Sequence, residues 1–449
     1  VEAKVLTMAN VNEDLGELEA FGEAVARISG GRLRIKWLNG YGRGGDGNAE
    51  VNLIRDVNAG EADLAWAGTR VFDELGDPAF NPLHAPMLID SYELQEKVLA
   101  DGLVDPMLES LGELELQGIG VLPGPLRRPL GKRPLRGPGD WNGARISESG
   151  GGQVEQALRA LGAEPRYDSP YVAEATDDLD GIETHIGAVP GNHYHYDFPY
   201  LTGNVVLWPR PLVLFAGPDV SAEDLTVLRK AAEDAIPDAA AMARSRDREP
   251  LAGICGASLK VVDASPPQID ELRAAFHPVY DELERDPGAS AAVARIQELA
   301  RDGGSSVAPV RCPAASEPAT GATIPPGTYR TEITRADAKE HGMSWAFVVE
   351  EDPDPKALAS KTREKRLEFT DDGTFLVYDV WLDGTATIGW EGAYSVYRDR
   401  ITVQGNDGTE MTARVEVDGD RLRFTDFEPF GANTPEGMTW GAKPFVKIG

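Results

Sequence analysis

Three stretches of this sequence carry side chains able to do chemistry. The first is Gly191-Asn-His-Tyr-His-Tyr-Asp-Phe-Pro-Tyr200, with His185 a little upstream. His193 and His195, two residues apart, could share a strand face and hold a metal ion. No cysteine lies near and a third ligand is conjectural, so an aromatic pocket wall, or plain packing, competes with that reading. The second stretch is basic: Arg127, Arg128, Lys132, Arg133 and Arg136. Such a run is commonly a solvated loop, but it can focus an anion or meet an acidic partner. Arg127 closely follows the apolar strand Gly118–Leu122, where pocket loops tend to begin. The third is Ser147-Glu-Ser-Gly-Gly-Gly152, just ahead of an expected helix. Backbone N–H groups at a helix start can hold an anion or carboxylate; an ordinary serine cap with flexible glycines is the alternative.

The composition narrows the class. The 449 residues hold 44 basic and 74 acidic side chains, a formal net charge of −30. That excess opposes a phosphate-binding surface, so nucleic acid is not an expected partner. A hydrophobic share of 41% suits folded protein. No run of 18 apolar residues spans a membrane. The chain begins at Val1 rather than Met, which permits a removed signal or anchor segment. There is no G-x-S-x-G, P-loop or H-E-x-x-H, and neither an enzyme activity nor a cofactor is implied. Two cysteines, Cys255 and Cys312, sit beside turn residues. Their pairing is expected; it would imply an extracytoplasmic home and, on the chain-entropy account, contribute ~4 kcal/mol. Two free buried thiols is the alternative.

The elements that must position these residues fall into two styles. From Arg301 to Pro326 the chain is rich in Gly, Ser, Ala and Pro, a linker composition, with 306–326 taken as the linker proper. Before it, strands at Val5–Met8, Leu33–Leu38 and Ala62–Ala67 alternate with helices. One helix presents Leu15, Leu18, Phe21, Val25 and Ile28 on one face and ends at Gly30-Gly31; another carries Val51, Ile54 and Val57. This βαβαβ start predicts a parallel sheet with right-handed crossovers. Further helices are expected at Tyr92–Leu111, Gln153–Leu161, Ala222–Arg246, Gln268–Glu284 and Ala291–Leu299. Ser290 is the expected cap of the last, and Pro237 should kink or break the long one. After the linker, short alternating runs (365–369, 374–378, 400–403, 414–417 and 421–424) are separated by turns. Asp372-Gly373, Asp383-Gly384, Asp407-Gly408 and Asp418-Gly419 supply them, the signature of a small antiparallel barrel.

Residues 1–305 resemble a known family. Gly60-Glu-Ala-Asp-Leu-Ala-Trp66 is similar to its strand entry. Arg128-Pro-Leu130 through Asp140-Trp-Asn-Gly-Ala-Arg-Ile146 is similar to its "RKPI … DLKGLKIR" segment. Leu161-Gly-Ala-Glu-Pro165, Tyr171, Asp180-Gly181 and Glu183 follow its "LGAxP … Y … DGxE" order. The family is the solute-binding proteins of TRAP (tripartite ATP-independent periplasmic) transporters. The resemblance implies an α/β, two-lobed, type II-like periplasmic-binding-protein fold with a hinge. Lobe 1 would hold about 1–122 and part of 212–250, and lobe 2 about 123–211 and later segments. A small antiparallel, lipocalin-like β-barrel at 327–449 would follow.

The resemblance further implies a receptor rather than an enzyme, in the periplasm or at the cell surface, with lipid anchoring before processing an option. It would capture a small organic molecule in the cleft, close on it, and deliver it to TRAP-type membrane permease subunits. Family ligands are carboxylates gripped by an arginine of lobe 2, which suits bidentate guanidinium pairing. Here Ser147 occupies that arginine position. Either the ligand is no simple carboxylate, or Arg127 supplies the charge, or Ser147, Ser149 and the 150–152 amides hold it. The remaining candidates are Asn10, Tyr41, Trp66, Tyr171, Thr184, His185 and Trp208. Thr184 stands where the family has asparagine, and Trp208 lies in a run, Asn204–Phe215, similar to the strand crossing between lobes. The competing reading is a cell-surface interaction or carrier module whose barrel is the functional end.

Overall fold

In a computed structural model the chain forms two compact units, Val1–Cys312 and Pro313–Gly449. The residues described are 3–12, 14–41, 49–148, 150–167, 178–192, 194–251, 254–255, 259–303, 309–312, 324–340, 344–349, 356–371, 373–397, 400–405, 409–428, 440–441 and 443–448. Strands of the first unit are β1 (Lys4–Ala9), β2 (Leu33–Leu38), β3 (Leu64–Gly68), β4 (Gln117–Leu122), β5 (Leu126–Gly131) and β6 (Arg145–Ser147). They continue as β7 (Glu164–Arg166), β8 (Gly181–Thr184), β9 (Tyr200–Thr202), β10 (Trp208–Pro209), β11 (Leu212–Ala216) and β12 (Lys260–Val262).

The first sheet has the order β2-β1-β3-β11-β4, and the second β12-β9-β5-β8-β6-β7 with β10 on β5. β1 runs parallel to β2 and β3, as the βαβαβ pattern requires, while β11 enters antiparallel between β3 and β4. Every residue of β3 and β11 is buried, the mark of strands covered on both faces. Helix Leu18–Ile28 buries Leu18, Phe21 and Val25 against the first sheet and stops where Gly30 and Gly31 take φ of 63° and 79°. The chain passes between sheets at residues 123–125 and again at 210–211. These crossings touch: the Arg210 N–H donates to the Pro125 carbonyl at 2.9 Å. A Cβ on Gly124 would lie 1.8 Å from the Arg210 carbonyl oxygen, so that approach needs glycine.

Several helices depart from the sequence expectation. The expected helix Tyr92–Leu111 is divided into Tyr92–Ala100 and Asp105–Ser110, because Gly102 adopts φ 79°. The expected Gln268–Glu284 is Pro266–Ala275 and His277–Leu283; Pro278, lacking an N–H, begins the second piece. The last helix starts early, at Pro287, with the Asp286 carboxylate accepting the Ala289 N–H at 2.7 Å, so Ser290 lies inside it and is not its cap. The long helix runs unbroken over Ala222–Arg248 through Pro237. Pro237 and Glu233 are on the exposed face, where water can take the carbonyl that proline leaves without a donor. The Cys255–Cys312 disulfide is present, with Cα atoms 5.7 Å apart.

The second unit is a closed eight-stranded barrel in which each neighbour is antiparallel. Its strands are β13 (Gly327–Thr334), β14 (Thr362–Phe369), β15 (Thr374–Val380) and β16 (Ala386–Tyr397), then β17 (Arg400–Gly405), β18 (Glu410–Asp418), β19 (Arg421–Glu428) and β20 (Phe445–Lys447). Gly373, Gly384 and Gly419 take the positive φ that the Asp-Gly turns demand; Asp407-Gly408 lies outside the described residues. Among the described residues a buried apolar cluster rich in rings forms its core. Trp440 lies 5.2 Å from Phe424 and 6.2 Å from Trp390, and Phe375 lies 4.9 Å from Trp390, all edge-on. Among the described residues no helix is long and apolar enough to cross a membrane.

Candidate functional site

Charged side chains converge where the two sheets of the first unit exchange strands. Helix Ala49–Asn58 turns Leu53, Ile54 and Val57 inward, and Glu50 falls on that same face, so its carboxylate is buried with them. Burial pushes its pKa up, but the Arg210 and Arg70 guanidiniums and the Gly68 N–H outweigh it and hold the group down to about 2. The Gly68 N–H donates to Glu50 Oε2 at 2.7 Å. Arg210 pairs with Glu50, and an Arg70 nitrogen lies 3.5 Å from the same oxygen. Arg70 stands near the start of helix Thr69–Glu74, directly after β3; Arg210 stands on the crossing from β10 to β11. A Cβ on Gly68 would come within 2.9 Å of Arg70 Nη1 and 3.2 Å of Arg210 Nε. Glycine there lets the trio close.

The second sheet contributes an ion pair of its own. Arg127 on β5 grips Glu183 on β8: its Nη2 donates to Oε1 at 3.0 Å and to the Glu183 carbonyl at 2.7 Å, while Nε donates to Oε2. Both side chains are almost wholly buried, which favours pairing over leaving either charge alone. Strand alternation sends Arg128 to the opposite face, where Nη1 donates to the Gly203 carbonyl at 2.7 Å. The basic run is therefore not a solvated loop at its start, although Lys132 and Arg133 are exposed. Burial lowers the pKa of Arg70, and the charges acting on it are Glu50, Arg210, Arg127 and Glu183. That places Arg70 in the field of both groups.

The residues singled out from sequence divide accordingly. Asn10 and Trp66 belong to the first group: Trp66 Nε1 donates to Asn10 Oδ1 at 3.0 Å, and the Arg210 guanidinium stacks 5.1 Å from the Trp66 ring centre. Asn10 also donates to the Asp14 carbonyl at 2.8 Å, so it braces Trp66 from a fully buried position. Thr184 ends β8 opposite Arg128 and is buried. The next residue, His185, is held well below its usual pKa by burial and then by Arg127, Arg210 and Arg246, so it is neutral; its Nδ1 has no hydrogen-bond partner. Trp208 pairs in register with Arg127, but its side chain packs into the core of the second sheet with Val205 and Leu207. Tyr41 is placed beside Asp56 and Glu61, toward the other end of helix Ala49–Asn58 from Glu50. Tyr171, His193 and Ser149 lie outside the described residues.

Ser147 closes β6 and is buried. Of the 150–152 amides expected to hold an anion, the Gly150 N–H donates to Glu148, and one residue past them the Gln153 N–H donates to Asp73 at 2.9 Å. Burial raises Glu148 to about 7, with Glu183 adding to the effect and the Gly150 N–H and Arg70 opposing it. Gly150 and Gly151 adopt φ of 92° and 100°. His195 is buried on the short helix Tyr194–Asp197, and no group of three metal-ligating side chains occurs among the described residues.

Sequence reasoning missed Glu50, Arg70, Glu148 and Arg210. Two signals were available: Glu50 keeps the helical spacing of an apolar face, and Arg70 follows a strand with no polar side chain. Arg210 was inside a quoted run but offered no local pattern, since its role depends on where two crossings meet.

Over residues 8–286, more than half of the chain, the sequence matches the model of a family described as bacterial extracellular solute-binding protein, family 7. Solved TRAP periplasmic solute-binding proteins share the fold of this region at low identity. One from Bradyrhizobium sp., in complex with α/β-D-galacturonate, is 22% identical, with a TM-score of 0.59 over 66% of this chain and 100% of that one. The sugar acid binding protein of Advenella mimigardefordensis, with galactonate, is 19% identical, with a TM-score of 0.58 over 67% of this chain and 99% of the other. One from Desulfovibrio desulfuricans, with sn-glycerol-3-phosphate, is 17% identical, with a TM-score of 0.58 over 66% and 97%. The first unit thus has the two-lobed fold of a periplasmic binding protein, and the chain belongs to the TRAP solute-binding family, family 7 of the bacterial extracellular solute-binding proteins.

Proposed function

We propose that this protein is an extracytoplasmic receptor that captures a small polyhydroxylated organic anion between its lobes and hands it to a TRAP-type permease. The observation that carries the reading is the convergence of guanidiniums in the first-lobe trio. Two of them, Arg70 and Arg210, meet at one buried carboxylate, Glu50, and their planar donor forks suit an oxyanion. Arg127 is engaged by Glu183. With Ser147 in place of the family arginine, the solute's anionic group is met from the first lobe and the hinge, and Glu148 beside Ser147 takes hydroxyl donors. Solved relatives hold galacturonate, galactonate or sn-glycerol-3-phosphate, all hydroxylated anions. The competing carrier reading of the barrel is disfavoured by its interior, which rings fill among the described residues.

The test is a thermal-shift panel of sugar acids, sugar phosphates, the matching neutral sugars and cationic solutes. A binder at a hundredfold excess over Kd stabilises by about 2.7 kcal/mol. Arg210→Lys, which keeps the charge beside Glu50 but loses the planar fork, should weaken the anion about tenfold or more. A shift with neutral sugars alone, or an Arg210→Lys variant that binds as the parent does, would overturn the assignment.

A further inference from the structure

Helix Gly152–Ala160 of the second lobe has glycine as its N-cap and so no capping side chain of its own. Its first-turn N–H groups have no partner within the helix. One is nevertheless satisfied from the other lobe. The Asp73 carboxylate, on helix Thr69–Glu74 directly after β3, accepts the Gln153 N–H at 2.9 Å. The Gln153 side chain reaches across as well, its Nε2 donating to the Asn81 carbonyl at 3.0 Å, and Asn81 in turn donates to the other Asp73 oxygen at 3.2 Å. Gln153 is buried at this junction. The glycines ahead of it set the approach. A Cβ on Gly151 would sit 3.0 Å from Arg70 Cβ and 3.2 Å from the Arg70 carbonyl, and one on Gly150 would sit 2.8 Å from Glu74 Oε2. Both glycines hold the positive φ that side chains resist.

We propose that Asp73, Asn81 and Gln153 form the clasp that holds the lobes shut, with Gly150 and Gly151 as its seat. The clasp is not a solute contact; it is a positioning device. Opening the cleft breaks two hydrogen bonds at once, one of them charge-assisted, and exposes an uncapped helix end. Arg70 of the charged trio sits one turn from Asp73 on the same helix, so the clasp and the charged site move together. The inference rests on the reading of the interlobe space as the capture cleft, but its test is made without solute and therefore fails separately from that reading.

Spin labels on Lys36→Cys and Glu164→Cys, exposed positions on the edge strands β2 and β7, report the interlobe distance in the full chain. The two native cysteines are bonded to each other and do not interfere. The parent should show a short-distance population. Asp73→Ala should lower the ratio of short to long distances about tenfold, since it removes a charged acceptor. Gln153→Ala, which keeps the backbone donor and loses only the Asn81 contact, should lower it about fivefold. Asp73→Asn retains an acceptor and should recover part of the loss. Gln153→Ala also covers the case of an Asp73→Ala variant that does not fold. A parent with no short-distance population, or variants whose distributions match the parent's, would overturn the proposal.

Discussion

Between β5 and β8 the first unit buries a guanidinium and a carboxylate, Arg127 and Glu183; the interior of the barrel holds Phe375, Phe424 and Trp440. The first unit repeats its habit at Glu50, Arg128 and Asp247, each buried and each held by partners from another element. Among its described residues the barrel has one comparable group, Arg363, buried with its Nη2 3.4 Å from Asp379. Buried ion pairs add little net stability over apolar packing of the same volume, because desolvation consumes most of the attraction. What they add is a penalty for disassembly, since each charge is costly once its partner leaves. Of these contacts, the Glu50–Arg210 pair stands at a crossing between the two sheets, where such a penalty resists their separation. A barrel packed with rings has no such joint and gains its stability from area and shape.

The strongest test of this contrast is Phe375→Ala. Removing a ring packed against Trp390 and Trp440 should cost the barrel about 3–5 kcal/mol. In calorimetry of the full chain only the second unit's transition should move, and solute binding should be unchanged. A shift of both transitions would break the contrast by showing that the units unfold as one. Arg127→Ala should follow closely, at about 3 kcal/mol on the first unit's transition, because Glu183 is left buried without its counter-charge. The double variant Arg127→Met with Glu183→Leu should recover most of that stability. If it stayed as unstable as Arg127→Ala, the loss would come from packing rather than from the unpaired carboxylate.

The same contrast explains what could be read from sequence. The barrel's hairpins were legible because Asp-Gly turns and period-two alternation are local. Its strands β13, β16 and β20 were missed; β16 contains Gly389 and Gly392, which blur the alternation. In the first unit the opening βαβαβ and the long helix followed from spacing, and the disulfide from a pair of cysteines beside turn residues. The charged site did not. Glu50, Arg70, Arg127, Glu183 and Arg210 come from five elements, and nothing local in the sequence says that Arg210 should meet Glu50, 160 residues away. Trp208 packs into the second sheet's core, a placement that strand alternation alone does not give, since it fixes a face but not what covers it.

The smallest expected effect separates the units by pH. Glu148 has its folded pKa raised from 4.5 to about 7, chiefly by burial. Between those values the folded chain keeps a proton that the unfolded chain releases, so stability falls as pH rises through the window and the full cost stands above it. Glu148→Gln keeps an acceptor for the Gly150 N–H and removes the charge. It should therefore stabilise the first unit by about 1 kcal/mol at pH 8, a figure discounted for partial exposure, and by nothing near pH 4. His84 works in the opposite sense. Burial lowers it to about 4, so its contribution is lost as pH falls from 6.5 toward 4. Comparing variant with parent at each pH cancels His84 and isolates Glu148. The barrel's transition should show no difference between the two proteins at any pH. A gain at pH 8 that persisted at pH 4 would mean the substitution improved packing, and that Glu148 stands in water rather than in the closed cleft.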